Sequence, residues 1–169
     1  AICDELKKLS VRQRRTIDAW FYKKGNFIRP HNAEADETPF LPFDSRIMHW
    51  YGPDAHYWFK ADMTVPDSFD GRPLWLHVRT QIDEWDDGKN PQFLLYVDGE
   101  VVQGIDMNHR EVLLTRSARA GQTYRLDLQS YTGTLHTEFN LIVEMQEIDP
   151  EIAGLYWDVQ VPLSAFSRL

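Results

Sequence analysis

The sequence predicts a mostly β fold: a two-sheet antiparallel jelly-roll sandwich preceded by a short N-terminal helical segment. Three observations carry that expectation. From Tyr57 onward, apolar and polar residues alternate with a period of two, the spacing of half-buried strands. Turn residues break these runs at near-regular intervals into about eight strands, the pattern of a sandwich or barrel. No helix-length stretch separates the runs, and parallel strands need crossovers of about a dozen residues, so the sheets are expected to be antiparallel.

The first 25 residues read as helix, because Leu6, Leu9, Ile17, Trp20 and Phe21 recur at spacings near three to four. Ser10 with Gln13 forms a capping-box pattern that splits the segment into a helix before Ser10 and a second from Val11 to Lys24. Lys23, Lys24 and Gly25 suit its C-terminus. Residues 1–28 are thus expected as a helical lead-in and 29–169 as the sandwich, together one domain. Between Arg29 and Pro53, four prolines and Gly52 predict an irregular surface segment, and Phe40, Leu41 and Phe43 predict that it packs down. Strands are expected over Tyr57–Val65, Leu74–Arg79, Phe93–Val97, Glu100–Ile105, Glu111–Thr115, Tyr124–Gln129, Phe139–Gln146 and Leu155–Pro162. Asp98-Gly99 is a two-residue type I′ hairpin signal, the strongest short-range cue in the chain.

The 169 residues are enough for one domain with a proper core. Aromatic content of 13% reads chiefly as strand-borne core and secondarily as sugar-stacking platforms. A net charge of -8 with no Lys/Arg stripe argues against nucleic acid as a partner, and Arg12, Arg14 and Arg15 read as a solvated face. No apolar run reaches the roughly 18 residues of a membrane span. The single cysteine, Cys3, rules out an internal disulfide framework and fits a reducing, cytoplasmic setting. The chain opens on Ala1 rather than Met and lacks an apolar signal core, so a trimmed start is expected, and a leader removed with it stays open.

Asp106, Asn108, His109 and Glu111 form a polar cluster after a strand. The string H-R-E opens a zinc deaminase signature, but the P-C-x-x-C half is impossible with one cysteine. Two readings remain: a turn in which Asp and Asn bond their own backbone with His109 as a structural donor, or a Ca²⁺ site of hard oxygen ligands. The acidic loop holding Asp83, Glu84, Trp85, Asp86 and Asp87 reads as a solvated or docking surface, or as a sugar contact. In the latter, the ring stacks on the sugar and the carboxylates accept its hydroxyls. Adjacent acids on one loop are poorly placed to work as a glycosidase pair, which attacks one bond from two sides. There is no G-x-S-x-G, Walker A, G-x-G-x-x-G or H-E-x-x-H motif. The six histidines are scattered, with no two at a metal-ligand spacing. No catalytic residue and no metal ligand is therefore assigned.

The run YVDGEVVQGIDMNHREVLL, Tyr96 to Leu114, resembles a stretch in the N-terminal domain of class II α-mannosidases of glycoside hydrolase family 38, cytosolic and bacterial branch. Tyr57-Trp58-Phe59, Val65-Pro66 and the final YWDVQVPL look like further parts of that pattern, although only Asp98 to Leu114 is specific. The resemblance implies a galactose-binding-like jelly roll acting as a non-catalytic accessory domain. It implies that Asp98, Gly99, Gly104, Asp106, Asn108 and His109 hold the hairpin and its following turn. It places zinc and the Asp nucleophile in a downstream catalytic domain, ending this chain about where the sandwich gives way to helices. It makes that domain the principal partner, with mannosides and a second copy of the chain as further ones. No zinc ligand, nucleophile or acid/base residue carries over to any position here. The alternative is a carbohydrate-binding module with Trp85, Asp86 and Asp87 as its contact.

Overall fold

The computed structural model describes residues 10–80 and 90–152. Two antiparallel sheets face each other as a sandwich, the jelly-roll form expected from the sequence. One sheet has four strands in the order β1 (Val11–Thr16), β12 (Ile142–Ile148), β6 (Leu74–Arg79), β9 (Glu111–Thr115). The other has six, in the order β3 (Leu41–Asp44), β2 (Ala19–Lys24), β5 (His56–Thr64), β10 (Thr123–Tyr131), β7 (Gln92–Val97), β8 (Glu100–Ile105). A small ribbon pairs β4 (Trp50–Tyr51) with β11 (Glu138–Phe139).

The alternation read from Tyr57 onward decides which side chains meet between the sheets. Tyr57, Phe59, Ala61 and Met63 of β5 and Leu126 and Leu128 of β10 face Leu74, Leu76 and Val78 of β6 and Val143 and Met145 of β12, all buried. Trp50 lies within 5.3–5.6 Å of the rings of Tyr57, Phe59, Phe93 and Phe139, and its Nε1–H reaches the Asn140 carbonyl at 3.0 Å. Edge-to-face and tilted pairs of this kind add to the area they bury. Trp20, Trp50 and Trp58 are all buried, so these three rings belong to packing rather than to exposed platforms.

The expected helix from Val11 to Lys24 is instead β1 and β2. Only Ser10 of the earlier segment lies within the described residues. Trp20 and Tyr22 point to the core while Phe21 points out, a period of two that the 3.6-residue reading obscured. β1 runs at a sheet edge against β12, where Arg12 bridges Asp149 at 2.6 Å and Gln13 donates to Glu147 at 2.8 Å. Cross-strand partners override a weak local preference. Gly25, expected after a helix, ends β2 by donating its N–H to His56 O.

The proline-rich stretch is only partly irregular: residues 29–40 pack down as a strap over the outer face of the six-stranded sheet, whereas β3 and β4 occupy its second half, with Phe43 buried in the core and Leu41, expected to pack down, exposed at the sheet edge. The strap contains one short helix, α1 (Pro30–Ala35), whose Ala33 seats against Trp58 and Tyr96 with Phe27 and Phe40 alongside. The final expected strand, Leu155–Pro162, lies outside the described residues.

Candidate functional site

The segment from Tyr96 to Leu114 forms one corner of the sandwich. The β7–β8 hairpin turns at Asp98 (φ 51°) and Gly99 (φ 84°), both in the left-handed region that a type I′ turn requires. Asp98 ties the hairpin to β10: its N–H donates to Arg125 O, and its Oδ1 accepts the Arg125 N–H, both at 2.9 Å. Gly99 has open space around it, so backbone conformation alone demands glycine there. A Cβ on Gly104 would meet nothing closer than Phe93 O at 4.0 Å.

Past β8, Asp106 Oδ1 accepts the N–H groups of Asn108 (2.9 Å) and His109 (2.8 Å) and lies 3.2 Å from His109 Nδ1. The backbones of Asp106 and His109 also bond reciprocally at 3.2 Å. This is an Asx-type turn with His109 as a structural neighbour, the first of the two readings of this cluster. A carboxylate oxygen aimed at three nitrogens is poorly disposed to ligate Ca²⁺. Among the described residues, no three His, Cys, Asp or Glu side chains are grouped to share a metal ion.

Beside this turn lies a recess lined by Val78, Thr80, Asn90, Phe93, Met107 and Arg110. Its cavity volume is about 10 Å³, the space of one water. Thr80 and Asn90, the described residues on either side of positions 81–89, both line this recess. Trp85, Asp86 and Asp87 themselves lie outside the described residues.

His77 sits on the outer face of the four-stranded sheet between Glu111 of β9 and Glu144 of β12. Its Nε2 is 3.8 Å from Glu111 Oε1, and its buried Nδ1 has no hydrogen-bond partner. Burial pulls the imidazole below its ordinary value, against the upward pull of Glu111 and Glu144.

The strap is held on the opposite outer face by charge. Glu34 of α1 reaches Lys60 at 2.8 Å and Arg125 at 2.5 Å. Arg125 Nε stands 3.3 Å from Asp127 Oδ2 as an ion pair, without hydrogen-bond alignment. Asp127 also accepts Trp58 Nε1–H at 2.9 Å, yet burial raises its carboxyl above the usual range. At Glu34 burial also pushes upward, but hydrogen bonds from Lys60 and Arg125 outweigh it and hold that carboxyl low. Buried Lys23 donates to Thr38 O at 2.9 Å between the rings of Phe27 and Phe40.

One grouping had no sequence signal. Where the strap ends, His56, Tyr131 and Gln92 stand side by side on β5, β10 and β7. The rings of His56 and Tyr131 are 5.0 Å apart, tilted by 34°. The Tyr131 hydroxyl donates to Asp54 Oδ1, which holds its proton above the ordinary tyrosine value. Asp54 itself is at φ 45°, with its N–H on Gly133 O at 2.8 Å.

No family model matches the sequence, and no curated protein matches it. Neither sequence comparison therefore yields an α-mannosidase. The fold does match solved structures. A β-glucuronidase of an uncultured Clostridium sp. aligns at TM-score 0.52 and 12% identity, over 81% of this chain and 29% of that one. β-Glucuronidases of Faecalibacterium prausnitzii (TM-score 0.49, 12% identity, 81% and 32% covered) and Dictyoglomus thermophilum (0.49, 11%, 81% and 28%) align similarly. The chain spans less than a third of each of these enzymes. The match to the Clostridium enzyme, at 12% identity, shows a shared sandwich fold alone.

Proposed function

We propose that this chain is an accessory β-sandwich domain of a glycoside hydrolase, carrying no catalytic residues of its own. The observation that carries the reading is the fold match: 81% of this chain aligns with a segment making up 29% of a β-glucuronidase. The geometry of the corner supports it, because Asp98, Gly99 and Asp106 serve turns and ladders.

The finer proposal makes the parent a zinc-dependent retaining α-mannosidase acting on terminal α-mannosides. Its support is the resemblance of Tyr96–Leu114 to the family 38 pattern; the β-glucuronidase neighbours share a fold and do not choose the sugar. On this reading the zinc belongs to the catalytic domain of the same polypeptide. The present domain packs on that domain, shapes the active-site entrance or an oligomer interface, and resides in the cytoplasm. The test is the parent protein assayed on aryl α-mannoside and aryl β-glucuronide. Zinc-dependent turnover of the mannoside supports the assignment, and preference for the glucuronide overturns it while leaving the accessory role intact.

Carbohydrate binding is the second reading, favoured by the row of His56, Tyr131 and Gln92.

A further inference from the structure

The geometry points to a shallow binding ledge for a neutral sugar, formed by His56, Tyr131 and Gln92 with Asp54 at its rim. It deepens the carbohydrate-binding reading and rests on it, independently of the accessory role.

Cross-strand partners project to the same face of a sheet. Tyr131 pairs with His56 on one side and with Gln92 on the other, so the three side chains form a row on the outer face. Two strand spacings make this row roughly 10 Å wide, the scale of a hexose or a disaccharide. The strap covers the next row inward: Phe27 packs on Trp58 at 6.3 Å, and Gln129 Nε2–H reaches Phe27 O at 2.7 Å. It stops short of the ledge, where His56 and Tyr131 are half-buried and Gln92 is exposed.

The chemistry left open there fits a polyol. Neither ring nitrogen of His56 has a hydrogen-bond partner among the described residues, nor does Asp54 Oδ2. These offer an imidazole able to donate or accept and a carboxylate oxygen able to accept. Two adjacent aromatic rings supply the flat apolar surface on which the C–H face of a pyranose lies. The support is stiff, since Asp54 N–H is fixed to Gly133 O, Thr132 N–H to Ala55 O and Ala55 N–H to Thr132 Oγ1. Among the described residues no three His, Cys, Asp or Glu side chains are grouped to share a metal ion, so Asp54 is read as a hydrogen-bond acceptor rather than a cation ligand. The same carboxylate disfavours an anionic sugar, so a neutral glycoside is preferred to a uronic acid.

The test is an NMR titration of the whole chain with methyl α-mannoside, methyl β-glucoside and glucuronate at millimolar concentration. The neutral glycosides are expected to shift the His56 ring and the Tyr131 and Gln92 signals, with glucuronate weaker. Tyr131→Ala is expected to abolish the response, and Asp54→Ala to weaken it roughly tenfold, the loss of one charge-assisted hydrogen bond. Tyr131→Phe guards against misfolding, because it keeps the ring and is expected to retain binding in weakened form. No shift at His56 or Tyr131 with either neutral glycoside overturns the ledge. So do shifts that map elsewhere, shifts unchanged in natively folded Asp54→Ala, or glucuronate bound as well as mannoside. Any of these leaves the accessory role standing, because turnover tests that.

Discussion

Asp98 and Arg125 exchange two hydrogen bonds across the mouth of the hairpin: backbone N–H to carbonyl, and backbone N–H to carboxylate, each 2.9 Å. The β7–β8 turn is thereby fastened to a third strand, and the corner carrying the family-like segment gains a fixed position. Asp98→Ala removes the carboxylate acceptor and the residue's tolerance of φ 51°, and is expected to cost about 1–2 kcal/mol. Gly104→Ala, with open space around its Cβ, is expected to stay within about 0.5 kcal/mol of wild type. Urea midpoints of the two variants check the contrast.

Gly52→Ala makes the opposite case. A Cβ there falls 2.7 Å from Leu135 O, a backbone atom, and 3.1 Å from the ring of Phe139. The loops 52–55 and 132–137 must part to admit it, at an expected cost of about 1–3 kcal/mol. Thermal unfolding measures this loss, and the sugar titration is expected to weaken with it, because Asp54 lies on the displaced loop.

His77 gives the fold a pH dependence of definite sign. Its folded-state value is lowered by burial, so the unfolded chain takes up a proton that the folded chain resists. Its contribution is therefore complete above the ordinary imidazole value of about 6.5 and is lost as pH falls through and below it. His77→Leu is expected to flatten the slope of denaturation midpoint against pH between about 7 and 5. An unchanged slope would show that other groups set it.

The strap responds to acid through Glu34. Its carboxyl is held low by Lys60 and Arg125, so its contribution is present above the ordinary carboxylate range and lost as pH falls through the lowered value. Since Glu34 is well exposed, the global effect is expected to be small, and the local one larger. Glu34→Gln is expected to speed amide exchange over residues 27–40 with little change in the global midpoint.

The hairpin was legible because Asp-Gly specifies a backbone conformation directly. The β5, β6 and β10 alternations were legible because their inward rings and aliphatics all meet one core. The helical reading of Val11–Lys24 failed because β1 is an arginine-rich edge strand whose partners, Glu147 and Asp149, lie at the far end of the chain. The His56–Tyr131–Gln92 row escaped for the same reason. Each residue is unremarked in its own strand, and only the register of β5, β10 and β7 brings them together. The Asp106 turn sat between: its residues named an Asx turn ahead of a hard-cation site, and Oδ1 is aimed at N–H donors as the turn reading expects.

The accessory role is tested most directly by incubating the isolated chain with aryl α-mannoside and aryl β-glucuronide, with and without added zinc. No turnover above the uncatalysed rate is expected for either substrate. Saturable hydrolysis of either one that follows the purified chain would contradict the accessory role.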